Sequence, residues 1–102
     1  MRRGELWLAH VGRKRRPVLI LTRSEVIDVR GLVTVAEVTT SMRGLAAEVT
    51  VDHEQVGLER PSAVNCDGLH TVAQSTLTGP IGELGDHAMQ QVCTAISYAL
   101  GC

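Results

Sequence analysis

An arginine set beside a proline at the head of an apolar run, Arg16-Pro17-Val18-Leu19-Ile20-Leu21-Thr22, and a hydroxyl pair some twenty positions on, Thr39 and Thr40, are the residues best suited to chemistry. Proline has no N–H and is tolerated at the first residue of a strand, so Pro17 is expected to open one and leave Arg16 at its exposed mouth. A guanidinium held there is a charged fork for anions that keeps its proton at any working pH, which suits charge stabilisation and not proton abstraction. Thr39, at the end of a strand closing on Val38, can donate its hydroxyl hydrogen to a phosphate oxygen. Further along, Asp67 and His70 are three positions apart and supply groups able to move a proton. Together these side chains suggest a phosphate-handling site. Each also has a plain structural reading. An arginine can pair with a surface carboxylate, a threonine pair can bond its own backbone, Asp67-Gly68 reads equally well as a bare turn, and a lone histidine in a strand is more often structural.

The elements that must position these groups are short and mostly extended. Leu6 to Val11 and Pro17 to Leu21 read as strands joined by the loop Gly12 to Arg15, and the second run, apolar on both faces, is expected to be central. Val33 to Val38 reads as a third strand, entered after a polar stretch, Ser24 to Gly31, with room for a helical turn. Ala47, Val49 and Val51 alternate with Glu48, Thr50 and Asp52, the period of a half-buried strand. After a polar loop over His53 to Arg60, Ser62 to Cys66 and Leu69 to Val72 read as strands broken by a turn at Asp67 and Gly68. Thr78 to Leu84 reads as a further short strand. Asp86 is expected to cap a helix with Met89, Val92, Cys93, Ile96, Ala99 and Leu100 on its apolar face and Gly101 just past its end. Many short strands with one terminal helix suggest a small barrel. Trp7 and Met89 are assigned to the core and Thr22 to a structural role.

Four blocks, taken in order, carry a resemblance: Arg3-Gly4-Glu5-Leu6-Trp7-Leu8, Arg16 to Thr22, Val38-Thr39-Thr40 with Arg43-Gly44-Leu45 behind it, and Val64-Asn65-Cys66-Asp67-Gly68-Leu69-His70-Thr71-Val72. Each is weak alone, but chance would have to place all four at compatible spacings. The chain resembles the MazF/PemK family of toxin endoribonucleases almost from end to end. The resemblance implies a mainly β fold, a small SH3-like barrel shared with CcdB, that dimerises. It implies metal-independent cleavage of single-stranded RNA by attack of the 2′-hydroxyl, without cofactor, and silencing by a cognate antitoxin. The positions matching the family's catalytic pair are Arg16 and Thr39. Asp67 matches an aspartate implicated in proton transfer in the PemK/Kid branch, although that branch has an arginine where this chain has Asn65. His70 is a secondary catalytic candidate. Arg13, Lys14 and Arg15 lie in the loop that gates the RNA channel in relatives and is occupied by antitoxin. Thr40, Ser41, Arg43, Asn65 and Thr71 are expected to contact RNA.

Composition narrows the alternatives. A chain of 102 residues is one domain with a marginal monomeric core, so a homodimer is expected on size as well. With no phenylalanine and only Trp7 and Tyr98 as aromatic residues, stacking of bases on several rings is excluded as the main mode of RNA binding. The formal net charge of −1 conceals an asymmetry. Residues 1–16 carry six basic side chains against one acid, and residues 17–102 carry four arginines against ten acids. A basic end on an acidic body fits a localised anion site, and a solvated basic loop is the plainer reading of the same charges. Three cysteines without paired spacing and four scattered histidines show no zinc pattern. No apolar run is long enough to span a bilayer, so a cytoplasmic location with reduced thiols is the default expectation. Two other functions on such a fold are a non-enzymatic CcdB-like poison of DNA gyrase and a simple RNA-binding barrel. The first depends on a tryptophan near the C-terminus, where this chain reads Ala99-Leu100-Gly101-Cys102.

Overall fold

The computed structural model describes residues 1–11 and 13–102. Six antiparallel strands form one sheet in the order β4-β5-β3-β2-β1-β6. These are β1 (Glu5–Val11), β2 (Lys14–Ile20), β3 (Leu32–Thr39), β4 (Glu48–Val51), β5 (Ser62–Ala73) and β6 (Leu77–Glu83). Single helical turns, α1 (Ser24–Ile27) and α2 (His53–Val56), follow β2 and β4, and α3 (Asp86–Leu100) closes the chain. The mainly β fold with a C-terminal helix agrees with expectation. The sheet is not a closed barrel, because its outer strands β4 and β6 each pair on one side only.

Period-two alternation divides the core between the two faces of the sheet. Leu6, Leu19, Ala36, Val38, Val64 and Cys66 pack on one face with Val92 and Ala95 of α3. Val18, Ile20, Ile27, Val33, Val35 and Leu77 pack on the other, with Trp7, Ala9 and Val72 against them. Neighbouring residues of β2 thus belong to opposite layers, which is why that run is apolar on both sides and interior to the sheet. Trp7 is in the second layer and Met89 in the first, both as core residues.

Several boundaries differ from the sequence reading. Pro17 does not open β2 but lies three residues inside it, opposite Leu8 of β1. β3 joins β2 only from Val18 onward, so at Pro17 one side of the strand has no ladder to feed, and the missing N–H costs nothing. Arg16 is accordingly a strand residue, opposite Ala9. Asp67 and Gly68 do not end a strand. β5 runs on as one strand whose register with β3 slips by three residues, Glu37 facing Asn65 and Ala36 facing Leu69. Cys66, Asp67 and Gly68 form the resulting bulge. The helix α3 starts one residue earlier than expected, at Asp86 itself, since Gly85 holds the N-cap position and Asp86 lies in the first turn without a capping bond. Its inner face is rotated as well. Ala88 and Ala95 turn inward in place of Cys93 and Leu100, which are exposed, because alanine lets the helix approach β4 and β5 closely. Gly101 does end the helix as expected, in a left-handed conformation, with the Cys102 N–H bonded to the Ser97 carbonyl.

Candidate active site

The side chains singled out in the sequence come from three adjacent strands and the loop behind them. On β2, Arg16 shares a face with Val18, and on β3, Glu37 and Thr39 extend the face of Val33 and Val35. On β5, His70 lies opposite Val35, and Asn65 opposite Glu37. At the end of the sheet the inner layer thus changes from valines to Arg16, Glu37 and Thr39. A cavity of about 590 Å³ opens there. Arg16, Thr39, Asp67 and His70 all line it, as do Ser41, Arg43 and Asn65, over a floor that includes Pro17, Val18, Val35 and Val72.

Local bonds hold this rim in shape. Glu48 Oε1 accepts the backbone N–H groups of Arg43 and Leu45 at 2.9 and 3.2 Å, curling the loop toward the cavity. Thr39 Oγ1 accepts the Ser41 N–H at 3.0 Å, which leaves its own hydroxyl hydrogen to donate. Asn65 Oδ1 accepts the Asp67 N–H at 3.1 Å across the bulge. The bulge is anchored from below by Cys66, fully buried, whose backbone N–H reaches the Ala47 carbonyl at 2.8 Å. Burial, followed by the charges of Asp67 and Cys93, pushes the Cys66 thiol up to about 11. It is a core group without nucleophilic character. Among the described residues Arg16 takes part in no ion pair, so the surface-pair reading of that arginine finds no carboxylate.

Other expected contacts fall elsewhere. Thr71 is not in the cavity. It is one residue from His70 and therefore points to the opposite face of the sheet, where its hydroxyl is 2.9 Å from that of Thr34. Thr40 is exposed beyond the strand end and does not line the cavity. Arg13 is exposed in the β1–β2 loop, whereas Lys14 and Arg15, expected in that loop, are exposed residues at the start of β2, and none of the three lines the cavity. Gly12 of that loop lies outside the described residues. The remaining arginines of the basic end are structural. Arg2 pairs with Glu5 and Glu83, and Arg3 donates to the Leu21 carbonyl and to Cys93 Sγ. Among the described residues no three His, Cys, Asp or Glu side chains converge as a metal site, and no helix is long and apolar enough to cross a membrane.

Glu37 was missed in the sequence. Its carboxylate faces the cavity, with Oε2 3.0 Å from His70 Nε2. The signal was present in the alternation of β3: Val33, Val35 and Glu37 share one face, and a carboxylate continuing an apolar face is the kind of residue that marks a site.

The model of the PemK-like, MazF-like toxins of type II toxin-antitoxin systems matches residues 2–100. The chain belongs to this family. It is 39% identical to the probable endoribonuclease MazF5 of Mycobacterium tuberculosis over 98% of its own length and 93% of the relative's. It is 51% identical to the endoribonuclease MazF3 of the same organism over 71 residues, 70% of this chain and 68% of that protein. Among solved structures, the Mycobacterium tuberculosis toxin MazF-mt6 superposes with a TM-score of 0.89 at 40% identity, covering 95% of this chain and 96% of the other. A mycobacterial endoribonuclease in complex with its cognate antitoxin shares the fold, with a TM-score of 0.85 at 24% identity over 99% of this chain and 95% of that one. A MazF-type chain accounts for the open six-stranded sheet and its terminal helix.

Proposed function

We propose that this family member is a toxin endoribonuclease that cleaves single-stranded RNA sequence-specifically, without a metal, and is neutralised by a cognate antitoxin. The observation that carries this reading is the convergence of Arg16, Thr39, Asp67 and His70 on one cavity in a chain of the MazF-like family. The RNA supplies its own nucleophile. The 2′-hydroxyl loses its proton to a base, O2′ bonds to the adjacent phosphorus, and the bond from phosphorus to O5′ breaks to leave a 2′,3′-cyclic phosphate. Asp67 and His70 on β5 are the groups able to take the proton. Arg16 donates hydrogen bonds to the phosphoryl oxygens and to the departing O5′, which takes a proton from water. The Thr39 hydroxyl donates to a phosphoryl oxygen. Asn65, Ser41 and Arg43 are placed to hold flanking nucleotides, and the valine floor offers an apolar bed for a sugar or base.

Arg13, Lys14 and Arg15 extend the positive surface outward, where an RNA backbone or the acidic tail of an antitoxin would lie. The working unit is a homodimer in the cytoplasm. The gyrase-poison alternative is not favoured, given the family and its endoribonuclease relatives. Incubating the purified protein with single-stranded RNA in excess chelator tests the proposal. Fragments with cyclic or open 3′ phosphates and 5′-hydroxyl ends are expected, and 5′-phosphate ends or strict dependence on added magnesium would overturn it.

A further inference from the structure

We infer that Glu37 is the positioning residue for His70 and makes that histidine the base that takes the 2′-hydroxyl proton. The inference rests on the endoribonuclease reading above. A carboxylate only accepts hydrogen bonds, so at 3.0 Å from Glu37 Oε2 the Nε2 of His70 must carry the hydrogen. A neutral imidazole has one N–H, and fixing it at Nε2 leaves the lone pair on Nδ1. When Nδ1 takes the proton, the ring becomes a cation beside a carboxylate already in place, with no reorganisation required.

The fold makes room for this pair at one specific residue. A Cβ at position 68 would collide with Glu37 Oε2, and would also come within 2.8 Å of the Glu37 carboxyl carbon and 3.0 Å of Asn65 Nδ2. The carboxylate therefore occupies space that only a glycine leaves open, and the β5 bulge delivers that glycine directly over Glu37 while carrying His70 to the far side of it. Asp67 lacks comparable support. Asp67 and His70 are both exposed, but the bond that orders Asp67, from its N–H to Asn65, involves the backbone and not the carboxylate.

The test combines kinetics with the tautomer of His70. In Glu37→Gln the amide can donate as well as accept, so the hydrogen on the ring is no longer dictated. Single-turnover cleavage is expected to fall roughly 100-fold, within the range that general base catalysis contributes, with KM little changed. His70→Gln should lose at least as much, and adding Glu37→Gln to it should cost nothing further. Gly68→Ala keeps both ionisable groups and presses only on the flexible side-chain ends of Glu37 and Asn65, chiefly Glu37, so it should fold normally and match Glu37→Gln in rate. Nitrogen NMR of the neutral ring should find the hydrogen on Nε2 in the unmodified protein and distributed over both nitrogens in Glu37→Gln and Gly68→Ala. Unchanged cleavage in Glu37→Gln, losses that add in the double variant, or a ring without the Nε2 hydrogen in the unmodified protein would each overturn the inference. The endoribonuclease reading fails separately, by an absence of cleavage in the unmodified protein, and the ring spectrum reads the pair even then.

Discussion

Arg16 and Thr39 have different relations to the fold, and both can be removed without opening the core. Arg16 is exposed and, among the described residues, without an ion pair, and Thr39 is half-buried at a strand end. Arg16→Ala and Thr39→Ala are each expected to lower the cleavage rate roughly 100-fold or more, the scale of losing one transition-state donor, with unfolding midpoints near that of the parent. Wild-type rates from a folded Arg16→Ala protein would remove the phosphoryl-stabilising role. Cys66 lies beneath the site and affects stability instead. The unfolded chain releases its thiol proton near the ordinary 9.0, whereas the folded protein holds it to about 11. Between those values the folded state binds the extra proton, so stability from this group is intact below pH 9 and declines above it by about 1.4 kcal/mol per pH unit. Denaturant titrations over that range, compared with Cys66→Ala to cancel the other alkaline groups, should show the steeper decline in the parent alone.

At the scale of elements, the site depends on how β5 is bent and how its neighbours are spaced. The two-faced apolar run at β2 and the alternation at β4 were legible in the sequence because burial on two faces or one leaves a direct pattern of period two. The bulge was not. Asp67-Gly68 has the chemistry of a turn, and only the pairing of β3 with both halves of β5 keeps the strand continuous, a non-local fact that local residue types do not encode. The rotation of α3 was hidden for a similar reason. Alanine and cysteine are comparably apolar in a sequence, and the sheet beneath the helix selects the smaller. Glycines at close approaches give this scale its test. A Cβ on Gly82 would meet the backbone of α2, the Val56 carbonyl carbon lying 2.8 Å away, and no flexible side chain is there to yield. Gly82→Ala should destabilise the protein by about 1–3 kcal/mol, the usual cost of overpacking, whereas Gly68→Ala meets only side-chain ends and should stay near the parent. Equal midpoints for the two variants in chemical denaturation would contradict this distinction.

For the whole molecule, charge and size set the partners. Of the basic residues in the first sixteen, Arg2 and Arg3 are engaged with Glu5, Glu83, Leu21 and Cys93, which leaves Arg13, Lys14, Arg15 and Arg16 as the exposed cations of the basic end, Arg16 alone of them lining the cavity. Neutralising Arg13, Lys14 and Arg15 together should weaken RNA and antitoxin binding in parallel and flatten their salt dependence, and an effect on neither would show the cluster to be idle. Tyr98 and Leu100 remain exposed on α3, consistent with a small protein that covers part of its surface with a second copy. Light scattering at micromolar concentration should report twice the subunit mass. A guanidinium, a hydroxyl and a base on three strands are expected to cut RNA with its own 2′-hydroxyl as nucleophile. Mapping the ends of RNA fragments produced by the purified protein in excess chelator, beside Arg16→Ala, reads this chemistry at the bond that breaks. The expected products are 5′-hydroxyl and cyclic phosphate ends at a recurring sequence, strongly diminished in the variant. Fragments with 5′ phosphates, or equal cleavage by both proteins, would contradict it.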